Sequence, residues 1–334
     1  MTCNCQINPV SSNNKAMINT TYQIIRTIRP RQWLKNLSVF AAAVFSGNVL
    51  VPSVFTMGVK AFIAFCFISS GVYLVNDIID APKDRLHPIK KNRPIASGKL
   101  SPVLAWLVAS AFIFGSIFFS ITNIGTYFTV ALIAYILMQL FYSLWIRNVI
   151  ILDSLIVATG FVIRVFAGGF ATSNSLSSWL ILTTIGLSLL LAFGKRRSEK
   201  TILRRHAIPT EADEEKTTRK TLKHYPDSLL DSMISMSASF TIISYALFAF
   251  QTSSDKVSQT LKSILPSILS SPKWMMVTIP FIIYGVARYL YVIYEKEEGE
   301  SPERVLLNDM PLLLTVVMWG GVVMSIIYMI PALT

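Results

Sequence analysis

The stretch TMGVKAFIAFCFISSGVYLVNDIIDAPKD, residues 56–84, decides the fold. Residues 56–75 are mostly apolar, and about 20 such residues allow a helix to cross a lipid bilayer. Three aspartates, Asp77, Asp80 and Asp84, follow that run directly. The stretch therefore predicts a membrane-crossing helix that ends in a group of carboxylates at one membrane surface.

The composition of the whole chain indicates a membrane protein. Of its 334 residues, 53% are hydrophobic and 14% are charged, whereas an ordinary soluble domain has about 25% charged residues. This composition excludes a disordered chain, a collagen-like chain and a typical soluble enzyme. The formal net charge of +12 would suit a nucleic-acid-binding protein, but a soluble basic domain would not contain so much apolar sequence. We therefore predict an all-α membrane protein that does not bind nucleic acid.

Nine stretches of the chain are long and apolar enough to be candidate transmembrane helices. They cover residues 37–54, 56–75, 101–121, 124–144, 149–170, 177–194, 229–250, 274–294 and 311–332. Before the first of them, the segment Tyr22–Trp33 mixes apolar, aromatic and basic residues, as an interfacial helix does. The sequence therefore predicts a cytoplasmic tail with an interfacial helix over 1–36 and a single nine-helix domain over 37–334.

The distribution of lysine and arginine predicts the orientation of these helices. Of the 30 basic residues, 24 lie in the tail and in loops on the same side, and three lie on the opposite side. The strongly charged loops cover residues 76–100, 195–228 and 295–310. Because cytoplasmic loops retain lysine and arginine, we expect a cytoplasmic amino terminus and an external carboxyl terminus.

The aspartates at the end of the second span form a candidate metal site. Asp77, Asp80 and Asp84 are spaced i, i+3, i+7, so a continuing helix places them on one face. Asn76 and Asp80 are spaced i, i+4 on the same helix. Crowded carboxylates repel one another unless a cation lies between them, and oxygen ligands suit Mg²⁺. A solvated acidic helix end is the alternative, and Pro82 should kink or end the helix nearby, which would place Asp84 on a turn.

Basic residues follow the aspartates directly and recur after the sixth span. The loop from His87 to Lys99 is rich in lysine and arginine, and Lys195-Arg196-Arg197 leaves the membrane on the same side. A Mg²⁺-bound diphosphate requires acidic ligands for the metal and cations for the remaining phosphate charge. Topology alone would explain a basic loop but not its position beside three aspartates, so we expect a phosphorylated substrate.

The fifth predicted span contains two ionisable residues, Asp153 at its start and Arg164 eleven positions later. An ionisable residue within a membrane segment is by default a functional hypothesis. At this spacing the two residues lie on nearly the same face of a helix, so we expect Arg164 to face the bundle interior. A role in substrate binding and a structural arginine–aspartate tie between spans are equal alternatives.

Five stretches, taken in order, resemble the UbiA superfamily of intramembrane transferases, and more specifically its decaprenyl-phosphate phosphoribosyltransferase branch. They are RPRQWLKN (29–36), NDIIDAPKDRLHPIKKNRPIASG (76–98), YSLWIRNVIILD (142–153), GFVIRVFAGG (160–169) and FGKRRSE (193–199). The resemblance implies a bundle of nine helices around a central cavity that opens towards lipid, with cytoplasmic loops over its polar end. Superfamily members that use prenyl diphosphates have a second aspartate-rich motif after the sixth span, whereas this chain has KRRSE there, with one acid.

The resemblance implies Mg²⁺-dependent transfer of a 5-phosphoribosyl group from phosphoribosyl pyrophosphate to a polyprenyl (decaprenyl-type) phosphate, with release of pyrophosphate. Fewer acids and more cations suit these substrates, because together they carry more phosphate charge per metal. The enzyme would be a multi-pass protein of the cell (inner) membrane with its active site facing the cytoplasm, and a homo-oligomer is left open.

The resemblance also assigns roles to individual residues. The predicted metal ligands are Asn76, Asp77, Asp80 and Asp84, of which the three aspartates are the predicted catalytic residues. The predicted substrate-binding residues are Lys35, Asn36, Arg85, Lys91, Arg93, Tyr142, Arg147, Asp153, Arg164, Lys195, Arg196 and Arg197.

Two alternatives remain at this point. A UbiA-type prenyltransferase would move a prenyl group from a prenyl diphosphate to an aromatic or quinone precursor, and the single acid in KRRSE counts against it. A lipid or metabolite transporter would favour internal repeats and charges at the middle of the membrane. Here the charges gather at one face and no repeat is evident, which favours an enzyme.

Overall fold

The computed structural model describes residues 20–86, 90–146, 149–205, 225–252, 273–296 and 302–329. Within these ranges the chain is helical and contains no β-strand. The predicted all-α fold is therefore confirmed for the part of the chain that the structure describes.

Eight long helices form a bundle. They are α1 (Pro52–Asp84), α2 (Pro102–Asn123), α3 (Thr126–Leu144), α4 (Leu152–Thr172), α5 (Ser178–Arg205), α6 (Asp227–Thr252), α7 (Ile279–Tyr291) and α8 (Met310–Met324). Together with the short 3-10 and π turns that extend α7 and α8, all eight are long and apolar enough to cross a membrane. The predicted loops 76–100 and 195–228 begin inside helices, because α1 continues to Asp84 and α5 continues to Arg205.

The first predicted span, 37–54, is not one long α-helix. A 3-10 helix covers Pro30–Phe40 and a short α-helix covers Ala41–Phe45. A 3-10 helix rises about 2.0 Å per residue, so this segment is longer than an α-helix with the same number of residues. It begins seven residues before the predicted start, and the predicted boundary at residue 36 falls inside it.

The segment Pro30–Phe45 nevertheless runs between the two ends of the bundle. Arg29, directly before it, contacts Asp77 near the end of α1, and Asn36 contacts residues two to three turns earlier on α1. Beyond its other end, Asn48 donates a 2.7 Å hydrogen bond to Asn174, which follows α4. The predicted count of nine helices therefore corresponds to eight long helices and one broken segment within the described residues.

The two ends of the bundle differ in polarity. We call the end that contains Asp77, Asp84, Asp153 and Arg196 the polar end. The last turn of α3 joins its two halves, because Ser143 bonds to Asn76 while Tyr142 bonds to Arg196. The opposite end contains Asn174 and also Tyr328, whose hydroxyl donates to backbone oxygens of residues 43 and 44. Arg29 and Tyr328 therefore lie at opposite ends of the bundle.

Small residues allow the helices to pack closely inside the bundle. A Cβ placed on Gly71 of α1 would lie 2.7 Å from Ile113 of α2 and 3.1 Å from the Ala109 oxygen. The outer surface is instead covered by large apolar side chains, such as Phe114, Phe118 and Tyr127. Such a continuous exposed apolar surface suits lipid rather than water. The chain is therefore a multi-pass membrane protein.

The helical segment over 20–28 packs against the polar half of α1. Ile24 and Ile28 contact the apolar cluster that includes Leu74 and Val75, and Tyr22 is exposed. This arrangement gives the segment one buried and one exposed face. The interfacial position predicted for it stays a prediction.

Candidate functional site

The carboxylates of Asp77 and Asp84 share one arginine at the polar end. Both side chains lie on the same face of α1 and are 3% and 5% exposed. Nη1 of Arg93, in the loop after α1, donates to Asp77 Oδ1 at 3.0 Å and to Asp84 Oδ2 at 2.7 Å. Arg29 also donates to Asp77 Oδ1. Two segments that are distant in sequence therefore bring positive charge to the acidic face of α1.

The register of α1 is retained past Pro82. The helix ends at Asp84, two residues later, and the backbone then turns through hydrogen bonds from Arg85 to Ala81 and from Leu86 to Lys83. The predicted end of the helix near Pro82 is confirmed. The expectation that Asp84 lies on a separate turn is wrong, because Asp84 is the last helical residue and its carboxylate is held by Arg93.

The two other predicted metal ligands, Asn76 and Asp80, are partly exposed. Asn76 Oδ1 accepts a 2.7 Å hydrogen bond from Ser143 Oγ on α3. Asp80 lies close enough to Asp84 for their charges to interact. The last two turns of α1 therefore carry four oxygen-bearing side chains.

The donor set on α1 fits Mg²⁺, which prefers carboxylate and carbonyl oxygens. In the described ranges, no three Asp, Glu, His or Cys side chains form a ready-made metal site. Mg²⁺ is commonly held by one or two carboxylates together with oxygens of a substrate phosphate and water. One cationic nitrogen, Arg93 Nη1, already lies between the carboxylates of Asp77 and Asp84, so this position accommodates positive charge.

A second network surrounds Asp153, whose side chain is completely buried at the start of α4. Arg196 Nε donates to Asp153 Oδ2 at 2.6 Å, and Tyr225 donates from its hydroxyl to Asp153 Oδ1 at 2.8 Å. Arg196 also donates to Glu199 at 2.8 Å and to the Tyr142 hydroxyl at 3.1 Å. These contacts form a structural arginine–aspartate tie between spans, but its arginine is Arg196 and not Arg164.

Tyr225 supports this network from outside the membrane-spanning segments. Burial raises the pKa of Tyr225 to about 12, and the hydrogen bond to Asp153 and its negative charge act in the same direction. The phenol therefore stays protonated and donates to Asp153. Its oxygen accepts from the backbone N–H of Ile151, which has a positive φ of 67°. A β-branched residue rarely adopts this conformation, so the contact holds a strained turn in place.

Arg164 lies in the bundle interior, as predicted, and is 4% exposed. Its guanidinium donates to Asn36 Oδ1 at 2.8 Å, to the Gly160 backbone oxygen at 2.8 Å and to the Tyr135 hydroxyl at 2.9 Å. No carboxylate of the described residues lies within ion-pair distance of it. Arg164 is therefore a buried cation whose described hydrogen-bond partners are all neutral.

Asn36 is fully buried and joins Arg164 to α1. Its amide nitrogen lies 3.4 Å from Cys66 Sγ and 3.3 Å from Ser69 Oγ, while its amide oxygen accepts from Arg164. Both sides of the amide are therefore used, which makes Asn36 a residue that positions Arg164.

Lys35 forms an ion pair that the sequence did not predict. Its Nζ lies 3.2 Å from Glu303 Oε2, on the short helix Pro302–Asn308. The sequence placed Glu303 in the strongly charged loop 295–310, yet the residue is only 7% exposed. Little in the sequence indicates that Glu303 is buried, because a single glutamate in an acidic loop has no spacing that distinguishes it from its neighbours.

The remaining predicted cations are placed around the polar end. Arg197 donates to Asp231 of α6 at 3.0 Å, and Lys195 lies 4.0 Å from Glu199. Arg85 and Lys91 are exposed. Arg147 lies outside the described residues. The polar end therefore contains exposed cations, such as Arg85 and Lys91, as well as the buried and hydrogen-bonded Arg196.

The sequence of the chain is similar to that of a known family over most of its length. The profile of the UbiA prenyltransferase family matches residues 36–315. The chain is 33% identical over 310 residues to a protein of Mycolicibacterium smegmatis named decaprenyl-phosphate phosphoribosyltransferase, with 91% of this chain and 92% of the relative covered. A protein of the same name from Corynebacterium glutamicum is 31% identical over 311 residues, which cover 92% of this chain and 87% of the relative.

A solved structure has the same fold. It is a UbiA homologue from Archaeoglobus fulgidus described as bound to DMAPP and Mg²⁺, with a TM-score of 0.64 and 18% identity over 91% of this chain and 99% of that chain. At this identity the likeness concerns the fold alone. The family profile and the full-length relatives confirm the resemblance predicted from the motifs, and the chain belongs to the UbiA prenyltransferase family of transferases.

Proposed function

We propose that the protein transfers a 5-phosphoribosyl group from phosphoribosyl pyrophosphate to a polyprenyl phosphate and releases pyrophosphate. The observation that carries the proposal is the similarity over about nine-tenths of the chain to relatives named decaprenyl-phosphate phosphoribosyltransferase. The cations of the polar end support it, because this pair of substrates carries a diphosphate, a 5-phosphate and an acceptor phosphate.

The acidic face of α1 would hold the donor. Asn76, Asp77, Asp80 and Asp84 would bind Mg²⁺, and the bound ion would neutralise charge that develops on the leaving pyrophosphate. Arg93 would then bind phosphate oxygens, since its present carboxylate partners would be engaged by the metal. This exchange keeps each buried carboxylate paired with a cation throughout.

The chemistry requires one bond to break and one to form at the anomeric carbon of the donor. The bond to the pyrophosphate oxygen breaks, and an oxygen of the acceptor phosphate attacks the same carbon from the opposite face. A phosphate is already ionised at neutral pH, so the acceptor needs no general base. We propose that Arg164, with its neutral partners, attracts the acceptor phosphate towards the bundle interior.

The other predicted cations would have two roles. Arg85, Lys91, Lys195 and Arg197 would bind phosphate oxygens at the cytoplasmic mouth, together with Arg147. Asp153, Tyr142 and Arg196 would position the ends of α3, α4 and α5, because they already bond to one another. The lipid tail of the acceptor would lie against apolar helix surfaces in the cell (inner) membrane.

The purified protein in detergent tests the proposal. With radiolabelled phosphoribosyl pyrophosphate, decaprenyl phosphate and Mg²⁺, the label should move into the organic phase, and omission of the lipid or addition of a chelator should prevent this. Absence of transfer, together with prenylation of 4-hydroxybenzoate from geranyl diphosphate, would show that the protein is a prenyltransferase acting on an aromatic ring.

A further inference from the structure

Two buried polar groups, one of them beside Lys35, lack a hydrogen-bond partner among the described residues. They are Oε2 of Glu303 and the hydroxyl of Tyr289. Glu303 is 7% exposed and Tyr289 is 5% exposed, and the two are close enough for the Glu303 charge to act on the phenol. Lys35 Nζ and Glu303 Oε2 form an ion pair at 3.2 Å, but their geometry is not that of a hydrogen bond. We call Lys35, Tyr289 and Glu303 the Glu303 site.

A buried polar atom without a hydrogen-bond partner destabilises the fold and needs an explanation. Here a carboxylate oxygen faces only the ammonium of Lys35, and a buried phenol within range of its charge has no described hydrogen-bond partner. The pair therefore has the character of a binding site for a group that both donates and accepts hydrogen bonds.

The Glu303 site lies near the acidic face of α1. Tyr73, one turn before Asp77, is close enough to Glu303 and Arg29 to interact with both charges. On the other side, a Cβ placed on Gly194 would lie 2.9 Å from the Tyr289 hydroxyl, and Gly194 directly precedes Lys195. The Glu303 site thus lies between α1 and the basic end of α5.

We infer that Glu303 and Tyr289 bind the vicinal hydroxyls of the ribosyl ring of the donor, an inference that rests on the proposed function. A carboxylate accepts hydrogen bonds from ribose hydroxyls, as acidic residues do in dinucleotide-binding proteins. A phosphate does not fit beside Glu303, because two negative charges would repel each other. Lys35 offsets the charge of Glu303.

The Glu303 site is then a determinant of donor specificity. A prenyl diphosphate has no hydroxyls, so it would leave the buried carboxylate and phenol without partners. A site built to hydrogen-bond a substrate hydroxyl discriminates strongly against an analogue that lacks it. The structure thereby provides a reason why a member of a prenyltransferase family would use a sugar donor.

The test compares phosphoribosyl pyrophosphate with donors that lack the 2- or the 3-hydroxyl. For the wild-type protein, kcat/KM should fall by about 100-fold or more with at least one deoxy donor. Glu303→Gln and Tyr289→Phe should reduce this discrimination to less than about tenfold, mainly by slowing the reaction of the natural donor. A role in folding alone would slow all donors equally and leave their ratio unchanged.

Glu295→Gln is the matched control, because Glu295 is exposed in the π turn that follows α7. It should retain the wild-type ratio between donors. Equal kcat/KM values for all donors in the wild-type protein, with transfer to decaprenyl phosphate intact, would overturn the inference and leave the proposed function standing. Failure of the wild-type protein to use any ribosyl donor would overturn both.

Discussion

Nε of Arg196 lies 2.6 Å from Oδ2 of Asp153, and both side chains are almost completely excluded from solvent. This pair joins α5 to α4 at the polar end, and Tyr142 and Tyr225 complete its hydrogen bonds. Removal of one partner of a buried ion pair leaves an uncompensated charge, which costs about 3–5 kcal/mol.

We therefore expect Asp153→Asn and Arg196→Met each to lower the thermal stability of the detergent-solubilised protein strongly. The double variant should lose less than the two single losses combined, because neither charge is then left alone. Lys99→Gln, at an exposed position, is the control and should melt like the wild type. Additive losses would contradict the pairing.

The carboxylates on α1 should be needed for metal-dependent turnover. We expect Asp77→Asn and Asp80→Asn to lower kcat by about 100-fold or more, since metal stabilisation of a leaving pyrophosphate contributes several kcal/mol. Binding of Mn²⁺ in the presence of the donor, followed by electron paramagnetic resonance, should weaken in parallel. Wild-type turnover in both variants would remove the metal assignment, and Glu295→Gln serves as the control for loss of a surface carboxylate.

Arg164 should not be replaceable by lysine. Its guanidinium bonds to three separate groups around it, and an ammonium cannot reach them in the same plane. We expect Arg164→Lys and Arg164→Met to raise the KM for polyprenyl phosphate similarly, with a smaller change in the KM for the donor. Restoration of the wild-type KM by lysine would show that only the charge matters.

The pKa of Tyr225 predicts how stability depends on pH. The unfolded phenol ionises near its ordinary pKa of 10.0, whereas the folded one stays protonated up to about 12. Between these values the unfolded state binds fewer protons than the folded state, so stability falls as pH rises from 10 to 12. The melting temperature of the wild type should fall more steeply over this range than that of Tyr225→Phe, and parallel curves would contradict the assignment.

Gly168 allows the segment Pro30–Phe45 to approach α4. A Cβ at this position would lie 1.9 Å from the backbone oxygen of Val39, which is far inside any tolerable contact. We expect Gly168→Ala to destabilise the protein by about 3 kcal/mol or more. Gly115→Ala, on the open face of α2, is the matched control and should leave the melting temperature unchanged or slightly higher.

Local patterns were sufficient to predict most of the helices and the polar end. Apolar runs of about 20 residues indicate membrane-crossing helices directly, because a helix needs that length to cross the bilayer. The structure of the segment after Arg29 could not be predicted in the same way, since its 3-10 geometry depends on close contacts with α1 and α4 rather than on composition. Likewise, the sequence did not reveal that α1 continues past Pro82 to Asp84, whose carboxylate bonds to Arg93.

By itself, the sequence determined an all-α membrane protein of the UbiA family with acidic and basic groups gathered at one end, because periodicity, composition and short motifs are local properties. Only the tertiary structure decided which charges pair: Asp153 binds Arg196 instead of Arg164, and Glu303 turns inward to Lys35. These partners are 43 and 268 positions apart. Their contacts depend on how helices pack, and no local spacing encodes that packing.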